Sequence, residues 1–242
     1  MKTRSNVIPI LGIVLFLTGV FLGLSLSSVI VWGELEASID AMPVGAESML
    51  LRCPLMLSFS ETGNIYAEII NHTDEEIKPL VIAEIGQPYT AREIRQMFML
   101  DAREVEVAQW SVNSSESVFG RLILVNILQS RYSNNPPRWG SCGIFLIDLF
   151  GLTGKQSFYL IFFTSIICIV IGSELFHISL KNPSETSKKM VHAGNLLAAS
   201  IIFALILSIP RWWGLALMLD AFSLLAVGVI FTDFILLPHK NK

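Results

Sequence analysis

The stretch Val7–Trp32, VIPILGIVLFLTGVFLGLSLSSVIVW, decides the architecture of this chain, because it contains no charged residue. A helix needs about 20 consecutive apolar residues to cross the hydrocarbon core of a bilayer. A signal peptide also begins with basic residues such as Lys2 and Arg4, but its apolar core is only about 7–15 residues long. We therefore predict an uncleaved signal anchor at residues 7–32, with a cleaved signal peptide as the alternative. Trp32 would lie at the outer membrane interface.

Three more apolar stretches follow in the second half of the chain, at residues 157–180, 191–209 and 214–237. Each is close to the length that a membrane-spanning helix needs. The sequence therefore predicts a helical membrane protein with about four transmembrane helices.

The distribution of basic residues predicts the orientation of these helices. If residues 1–6 face the cytoplasm, then so do the loop 181–190 and the tail 238–242, and together they hold Lys2, Arg4, Lys181, Lys188, Lys189, Lys240 and Lys242. The short outer loop 210–213 holds only Arg211. This asymmetry follows the positive-inside rule. We expect a multi-pass protein of the plasma membrane, with both termini cytoplasmic and residues 33–156 extracytoplasmic.

The segment between the first two predicted helices has a different composition. Of the 20 acidic residues of the chain, 15 lie between Gly33 and Arg138, together with 8 of the 17 lysines and arginines. Such a charged segment between apolar stretches indicates one water-soluble domain, assigned here to residues 33–138. Its acidic balance argues against nucleic acid as a partner.

Several runs in this segment have the pattern of β-strands separated by turns. The runs are Leu50–Ser58, Asn64–Asn71, Pro79–Ile85, Glu104–Val112 and Phe119–Ser130. Residues 104–112 alternate almost strictly between polar and apolar side chains. Strands at this spacing predict an antiparallel, all-β sandwich. Thr90–Leu100 fits either a short helix or a strand.

The order of these features resembles a known group of domains. A turn at Glu61–Gly63 leads into a strand that ends at Asn71. A polar hairpin, Lys78-Pro79 and a second strand follow, and Trp110 lies in a later strand. This order is similar to the Ig-like or fibronectin-like modules of prokaryotic surface proteins, of the CARDB and NEW3 types. The resemblance covers about ninety residues and implies a binding or spacer module without catalytic residues.

A further apolar run, Gly143–Leu152, is too short to cross a membrane and contains Asp148. We predict that residues 139–156 form an interfacial segment that lays the soluble domain onto the outer leaflet. The alternative is a buried strand of the soluble domain.

Two of the three cysteines, Cys53 and Cys142, lie near the two ends of the soluble domain. An oxidising compartment favours their pairing, so we predict a disulfide between them. Free thiols or an intermolecular bridge are the alternatives. Cys168 lies within the second predicted helix and is expected to be a packing residue.

A few strongly polar residues lie within the predicted helices: Glu174, His177, Asn195, Asp220 and Asp233. Such residues are costly in hydrocarbon and are candidates for function. Glu174 and His177 share one helix face and could meet Asn195 and Asp233 near the cytoplasmic side. A metal or proton site there competes with a simpler interpretation as a hydrogen-bonding group. Carboxylate-bridged metal sites need two Glu-x-x-His pairs, and this chain has one, so we predict no metal and no cofactor.

Asp220 stands apart from the other four, in the outer half of the fourth predicted helix. We expect it to pair with Arg211, or with Arg138 or Lys155 of the outer domain, in a structural role. In the first helix, Gly19 and Gly23 form a GxxxG pattern that predicts close helix packing.

The sequence therefore favours a non-enzymatic membrane protein, embedded in lipid, whose outer domain binds a protein partner as part of a membrane complex. One alternative is a small transporter or channel subunit that uses Asp220 or the group around Glu174, His177 and Asp233. The other is a membrane-embedded enzyme, although the sequence holds no common hydrolase, nucleotide-binding or metalloprotease motif.

Overall fold

The computed structural model describes residues 7–39, 46–86, 91–132, 136–179, 185–210 and 212–236. It divides into a β unit, residues 32–158, and a helical unit formed by the rest of the chain. The helices are α1 Val7–Ile39, α2 Gly154–Ser179, α3 Glu185–Ser208 and α4 Trp213–Leu236. The strands are β1 Glu47–Ser48, β2 Leu51–Arg52, β3 Met56–Leu57, β4 Gly63–Ile70, β5 Leu80–Ile85, β6 Arg92–Met97, β7 Val105–Val112, β8 Leu122–Gln129 and β9 Arg138–Leu146.

The β unit consists of two sheets. The larger has the order β1-β9-β8-β5-β6, and β3 also pairs with β9. The smaller has the order β2-β4-β7. All pairs are antiparallel except those of β1 and β3 with β9, which are parallel. The expected sandwich is thus present as a mixed-sheet structure, and the ambiguous stretch 90–100 contains strand β6.

The core of the β unit lies between the two sheets. In β4 and β7, apolar side chains alternate with exposed ones, and Ile65, Ile69 and Trp110 are among those that point inward. From the larger sheet, Val125 and Ile144 meet them in the same cluster. The period of two residues that predicted these strands is therefore the period of burial.

The outer face of the larger sheet is also covered. The last residues of α1, 32–39, belong to the β unit, and Ala37 packs with Leu122 and Leu124 of β8. A Cβ atom on Gly143 of β9 would lie 2.3 Å from the backbone of Gly33, so α1 and β9 contact each other at a pair of glycines. The first helix is longer than predicted, because α1 continues past residue 32 to Ile39.

The predicted interfacial segment 139–156 is wrong for most of its length. Residues 138–146 form β9, which pairs with β8 along its whole length, and Cys142, Ile144 and Leu146 are buried. A strand covered on both faces is nearly continuously apolar, and the apolar run from Gly143 onward therefore resembles a membrane-associated segment. The alternative, a buried strand, describes these residues. A turn at residues 149–152 then leads to α2 at Gly154.

In the helical unit, α1 contacts each of the other three helices. Gly12 and Gly19 lie against α2, Gly23 against α3, and Ser27 against α4. The helices match the predicted ones with shifted ends: α2 begins at Gly154 rather than 157, and α3 includes residues 185–190, which were predicted as loop.

Three helical stretches within the described residues are long and apolar enough to cross a membrane: Ile8–Ile39, Gly154–Ile178 and Val191–Ser208. A shorter apolar stretch, Trp213–Gly228, lies in α4. These helices are compatible with membrane association, and the fourth span and the orientation remain predictions.

Candidate functional site: a groove beside the disulfide

The β unit contains an open groove of about 870 Å³. Its floor is the outer face of the smaller sheet, where Tyr66 and Glu68 of β4 lie next to Val107 of β7. The walls come from the segment between β2 and β4 and from the start of α2, and they include Arg52, Pro54, Glu61, Asn64 and Lys155. The groove has the size of a site for a small ligand or a short peptide segment.

The groove carries both charges and apolar surface. Arg52 donates to Glu68 Oε1 at 2.9 Å, in a pair whose arginine side chain is 71% exposed. Exposed pairs contribute little to stability, so Arg52 can exchange this partner at low cost. Lys155 adds a second cation at the other wall, and Tyr66 and Val107 offer apolar contact area between them. This mixture suits a peptide better than a metal ion or a nucleic acid.

One wall is held in place by Glu61. Its Oε2 atom accepts hydrogen bonds from the backbone N–H of Ser58 at 3.1 Å and of Gly154 at 2.7 Å. Thr153 and Gln156 form a reciprocal capping pair at the same helix end. A carboxylate and a capping pair together satisfy N–H groups that a helix N-terminus leaves unpaired. The groove is therefore lined by fixed elements.

Behind the groove, Arg138 ties three strands together. Its guanidinium donates to the carbonyl oxygens of Ser48 at 3.2 Å and Glu68 at 3.3 Å. Burial lowers the pKa of Arg138, while Glu47 and Glu68 act in the opposite direction. An arginine stays charged under all ordinary conditions, so this residue acts as a structural cation.

The predicted disulfide is present: Cys53 and Cys142 are bonded, with their Cα atoms 6.7 Å apart. Cys53 follows β2 of the smaller sheet, and Cys142 lies in β9 of the larger one. The bridge therefore links the two sheets across the core, at the edge of the groove. Cys168, in α2, is a free thiol.

Of the polar residues predicted to meet near the cytoplasmic side, the structure brings two together. His177 Nε2 of α2 lies 3.4 Å from Asn195 Nδ2 of α3, and Ser173 donates to Asn195 Oδ1 at 3.2 Å. Glu174 is exposed on the surface of α2. The side chain of Asp233 lies outside the described residues. Among the residues described here, no group of three His, Cys, Asp or Glu could hold a metal ion.

Asp220 of α4 has a partner that the sequence did not predict. It is 4% exposed, and its Oδ2 atom accepts a hydrogen bond from Ser27 of α1 at 2.8 Å. Ser27 also lies 3.2 Å from the hydroxyl of Ser208 in α3. The other carboxyl oxygen, Oδ1, has no hydrogen-bond partner in the described part of the chain. The predicted partner Arg211 lies outside the described residues. The sequence did not indicate Ser27 as a partner, because it resembles the other serines of the helices.

The two glycines predicted to pack do so. A Cβ atom on Gly19 would lie 2.7 Å from the backbone nitrogen of Ile169, and one on Gly23 would lie 2.7 Å from Ile201 Cγ2. Sequence reasoning missed their counterparts Gly12 and Gly172, which meet each other where α1 crosses α2.

No family model matches this chain, and no curated protein matches it. Among solved structures, it is similar to the CARDB domain of a Pyrococcus furiosus protein in complex with di-metal ions. The identity is 10%, the match covers 46% of this chain and 97% of that one, and the TM-score is 0.33. The solution structure of the same domain matches at 11% identity over 44% of this chain and 98% of that one, with a TM-score of 0.32. A Paenibacillus cycloisomaltooligosaccharide glucanotransferase matches at 14% identity, covering 44% of this chain and 15% of that one, with a TM-score of 0.35.

Proposed function

We propose that this chain is a non-enzymatic, membrane-anchored binding protein whose β unit holds a segment of a partner protein outside the cytoplasm. The observation that carries the proposal is the groove, because it joins exchangeable charges to exposed apolar surface on a rigid sheet. The apolar helices supply the anchor. The disulfide supports an oxidising, extracytoplasmic location for the β unit.

The partner can be tested by photocrosslinking in native membranes. A photoreactive amino acid replaces Tyr66 on the groove floor, and in a matched control it replaces Gln96, an exposed residue of β6. We expect one recurrent crosslinked product with a partner protein from position 66, and no product of the same mass from position 96. Arg52→Glu should reduce the yield of the product from position 66. Equal adducts from both positions, or an adduct from position 66 that Arg52→Glu leaves unchanged, would contradict binding in the groove.

The orientation is tested separately by cysteine labelling in a Cys168→Ser background. A membrane-impermeant thiol reagent should label Gln96→Cys in intact cells and should label Ser184→Cys only after the membrane is opened. The reverse labelling pattern would contradict the proposed topology, but it would not test whether the groove binds a partner.

A second candidate function, ion or proton transport, is favoured by one observation only: the buried carboxyl of Asp220 with its unpartnered Oδ1 atom. Acidic groups within membrane helices frequently belong to ion pathways. The test is ion flux into proteoliposomes. Flux that Asp220→Asn abolishes in a folded protein would favour transport over the binding function.

A further inference from the structure

Two tight turns of the β unit share an unusual sequence and conformation. The first has φ angles of 53° at Phe119 and 69° at Gly120, and Arg121 N–H donates to Val118 O at 3.2 Å. The second has φ angles of 53° at Phe150 and 71° at Gly151, closed by a 2.9 Å bond from Leu152 N–H to Leu149 O. Positive φ at both central positions is the pattern of a type I′ turn.

Phenylalanine is poorly suited to the first central position of such a turn. Asn, Asp and Gly dominate there, because other residues with a left-handed backbone strain their side chains. The rings of Phe119 and Phe150 are also highly exposed, at 74% and 91%. Open space surrounds the neighbouring glycines, with no atom within 4 Å of a Cβ placed on either. Neither the local backbone nor the core of the β unit therefore accounts for the two phenylalanines.

Both turns lie at the end of the β unit where the chain enters α2. Leu146, the last residue of β9, donates its N–H to the carbonyl of Arg121 at 2.7 Å, so the first turn lies beside the end of the strand that leads to the second. Phe150 precedes Gly154 by four residues, so their Cα atoms are at most about 14 Å apart. Gly154 is itself fixed against β3, because a Cβ atom there would lie 2.2 Å from Met56 O.

The end of α1 reaches the same place. A Cβ atom on Gly33 would lie 3.2 Å from the side chain of Leu122, the first residue of β8 after the Phe119 turn. Trp32, the preceding residue, is exposed. Two of the helices that are apolar enough to span a membrane, α1 and α2, therefore leave the β unit beside the two turns.

We infer that Phe119 and Phe150 insert their rings into the interfacial layer of the bilayer that α1 and α2 enter. This inference rests on the proposed membrane anchoring. Aromatic rings are enriched at this depth, where they bury apolar surface while the backbone stays hydrated. Burial there removes the exposure of the rings and offsets the strain of their backbone conformation. Since apolar burial drives the contact, an uncharged headgroup is sufficient.

The inference is tested on the full chain in phosphatidylcholine nanodiscs, in a Cys168→Ser background. Nitroxide labels are placed singly at Phe119, Phe150 and Phe163, the last on the exposed apolar surface of α2, and at Met97 and Gln109 on exposed strand positions. The measurement compares collisions with lipid-soluble oxygen and with a water-soluble nickel chelate. We expect labels at 119, 150 and 163 to favour oxygen and labels at 97 and 109 to favour nickel.

The outcomes separate the two proposals. If the label at 163 favours oxygen while those at 119 and 150 behave like the label at 97, the inference is overturned and the membrane anchoring stands. If the label at 163 favours nickel, the anchoring itself fails.

A second experiment avoids substitutions that could damage the turns. In the double variant Phe119→Asn and Phe150→Asn, the new residues suit the turn conformation, so the unfolding temperature should stay the same or rise. A nitroxide at the exposed Asp148 should nevertheless shift from oxygen toward nickel accessibility. The matched variant with tryptophan at both positions should keep the original depth. An unchanged label depth in the asparagine variant would refute the inference.

Discussion

The two units of this chain place their side chains in opposite ways. In the β unit the core is mainly aliphatic and aromatic, with Ile65, Ile69 and Ile144 fully buried, and most charged residues are exposed, although Arg138 is buried. In the helical unit the buried positions include Ser27, Ser223 and Asp220, whereas Phe21 and Met218 are each 71% exposed. Large apolar side chains are therefore buried in the β unit and exposed on the helical unit.

This inversion is compatible with a different solvent around each unit, water for the β unit and lipid for the helical unit. In water, burial of apolar surface drives folding, so large aliphatic residues collect in the core. In lipid that drive is absent between helices, and association depends on close packing of small residues and on hydrogen bonds. Gly19 against Ile169 and Ser27 against Asp220 are contacts of these two kinds. The predictions below test whether the two units indeed depend on different interactions.

The disulfide should give the largest effect, and only in the β unit. The double substitution Cys53→Ser and Cys142→Ser opens a loop of 89 positions, for which the chain-entropy model gives about 4–5 kcal/mol of lost stability. Limited proteolysis within residues 46–132, followed over temperature, measures it. Cys168→Ser is the control and should leave the profile unchanged. A β unit that resists protease equally well under reducing conditions would contradict the prediction.

The helical unit should instead depend on its glycines. Gly19→Ala places a methyl group against the backbone of α2 and should cost about 1–3 kcal/mol. Gly228→Ala is the matched control, because no atom lies within 4 Å of its Cβ position. That change should stabilise α4 slightly, by up to about 1 kcal/mol. Thermal unfolding in detergent distinguishes the two, and equal effects would mean that α1 and α2 do not pack as described.

A smaller effect is expected from the polar contact between Ser27 and Asp220. A double-mutant cycle of Ser27→Ala and Asp220→Asn should give a coupling of about 1 kcal/mol, typical of hydrogen bonds between membrane helices. Thr18→Ala serves as the comparison, because the Thr18 hydroxyl donates to Val14 O within its own helix. The cycle is measured by unfolding in detergent. Zero coupling between Ser27 and Asp220 would show that this bond does not hold α1 to α4.

The smallest effect should come from an exposed pair on the β unit, Asp74 with Arg103. The hydrogen bond from Arg103 holds the pKa of Asp74 below its ordinary value of 3.8. A carboxyl whose pKa is lowered on folding contributes stability above its unfolded pKa, and this is lost as the pH falls through the folded value. Asp74→Asn should therefore lower the unfolding temperature slightly at pH 7 and not in strong acid. An equal change at both pH values would contradict an electrostatic origin.

The sequence allowed much of the fold to be predicted where one face of an element meets water and the other does not. Strands β4 and β7 were recognisable because their side chains alternate. Strand β9 was not, because the core covers one face and Gly33 of α1 approaches the other at Gly143. The last turns of α1 were missed for a related reason. Glu34 and Glu36 are charged, so the sequence assigned them to the soluble segment, yet both lie in the last turns of α1.

The partners of the candidate site residues were harder to predict. The disulfide was predictable because only two cysteines lie in the soluble segment. Asp220 was expected to pair with a cation, since the sequence displays charges clearly. Its observed partner is Ser27, a residue 193 positions away that is chemically unremarkable among the other serines. Which serine faces a carboxyl depends on helix rotation, which a uniformly apolar sequence does not specify.

The position of β9 has a consequence for how the chain is made. It is the last strand of the β unit, yet it lies inside the larger sheet, with β8 on one side and β1 and β3 on the other. During synthesis from the N-terminus, the other five strands of the larger sheet therefore emerge before the one that completes it. Until residues 138–146 appear, β8 keeps an open edge that can pair with a neighbouring chain. Cys142 arrives within the same strand, so oxidation can lock the unit only after this late insertion. We expect the nascent β unit to need protection from aggregation during that interval.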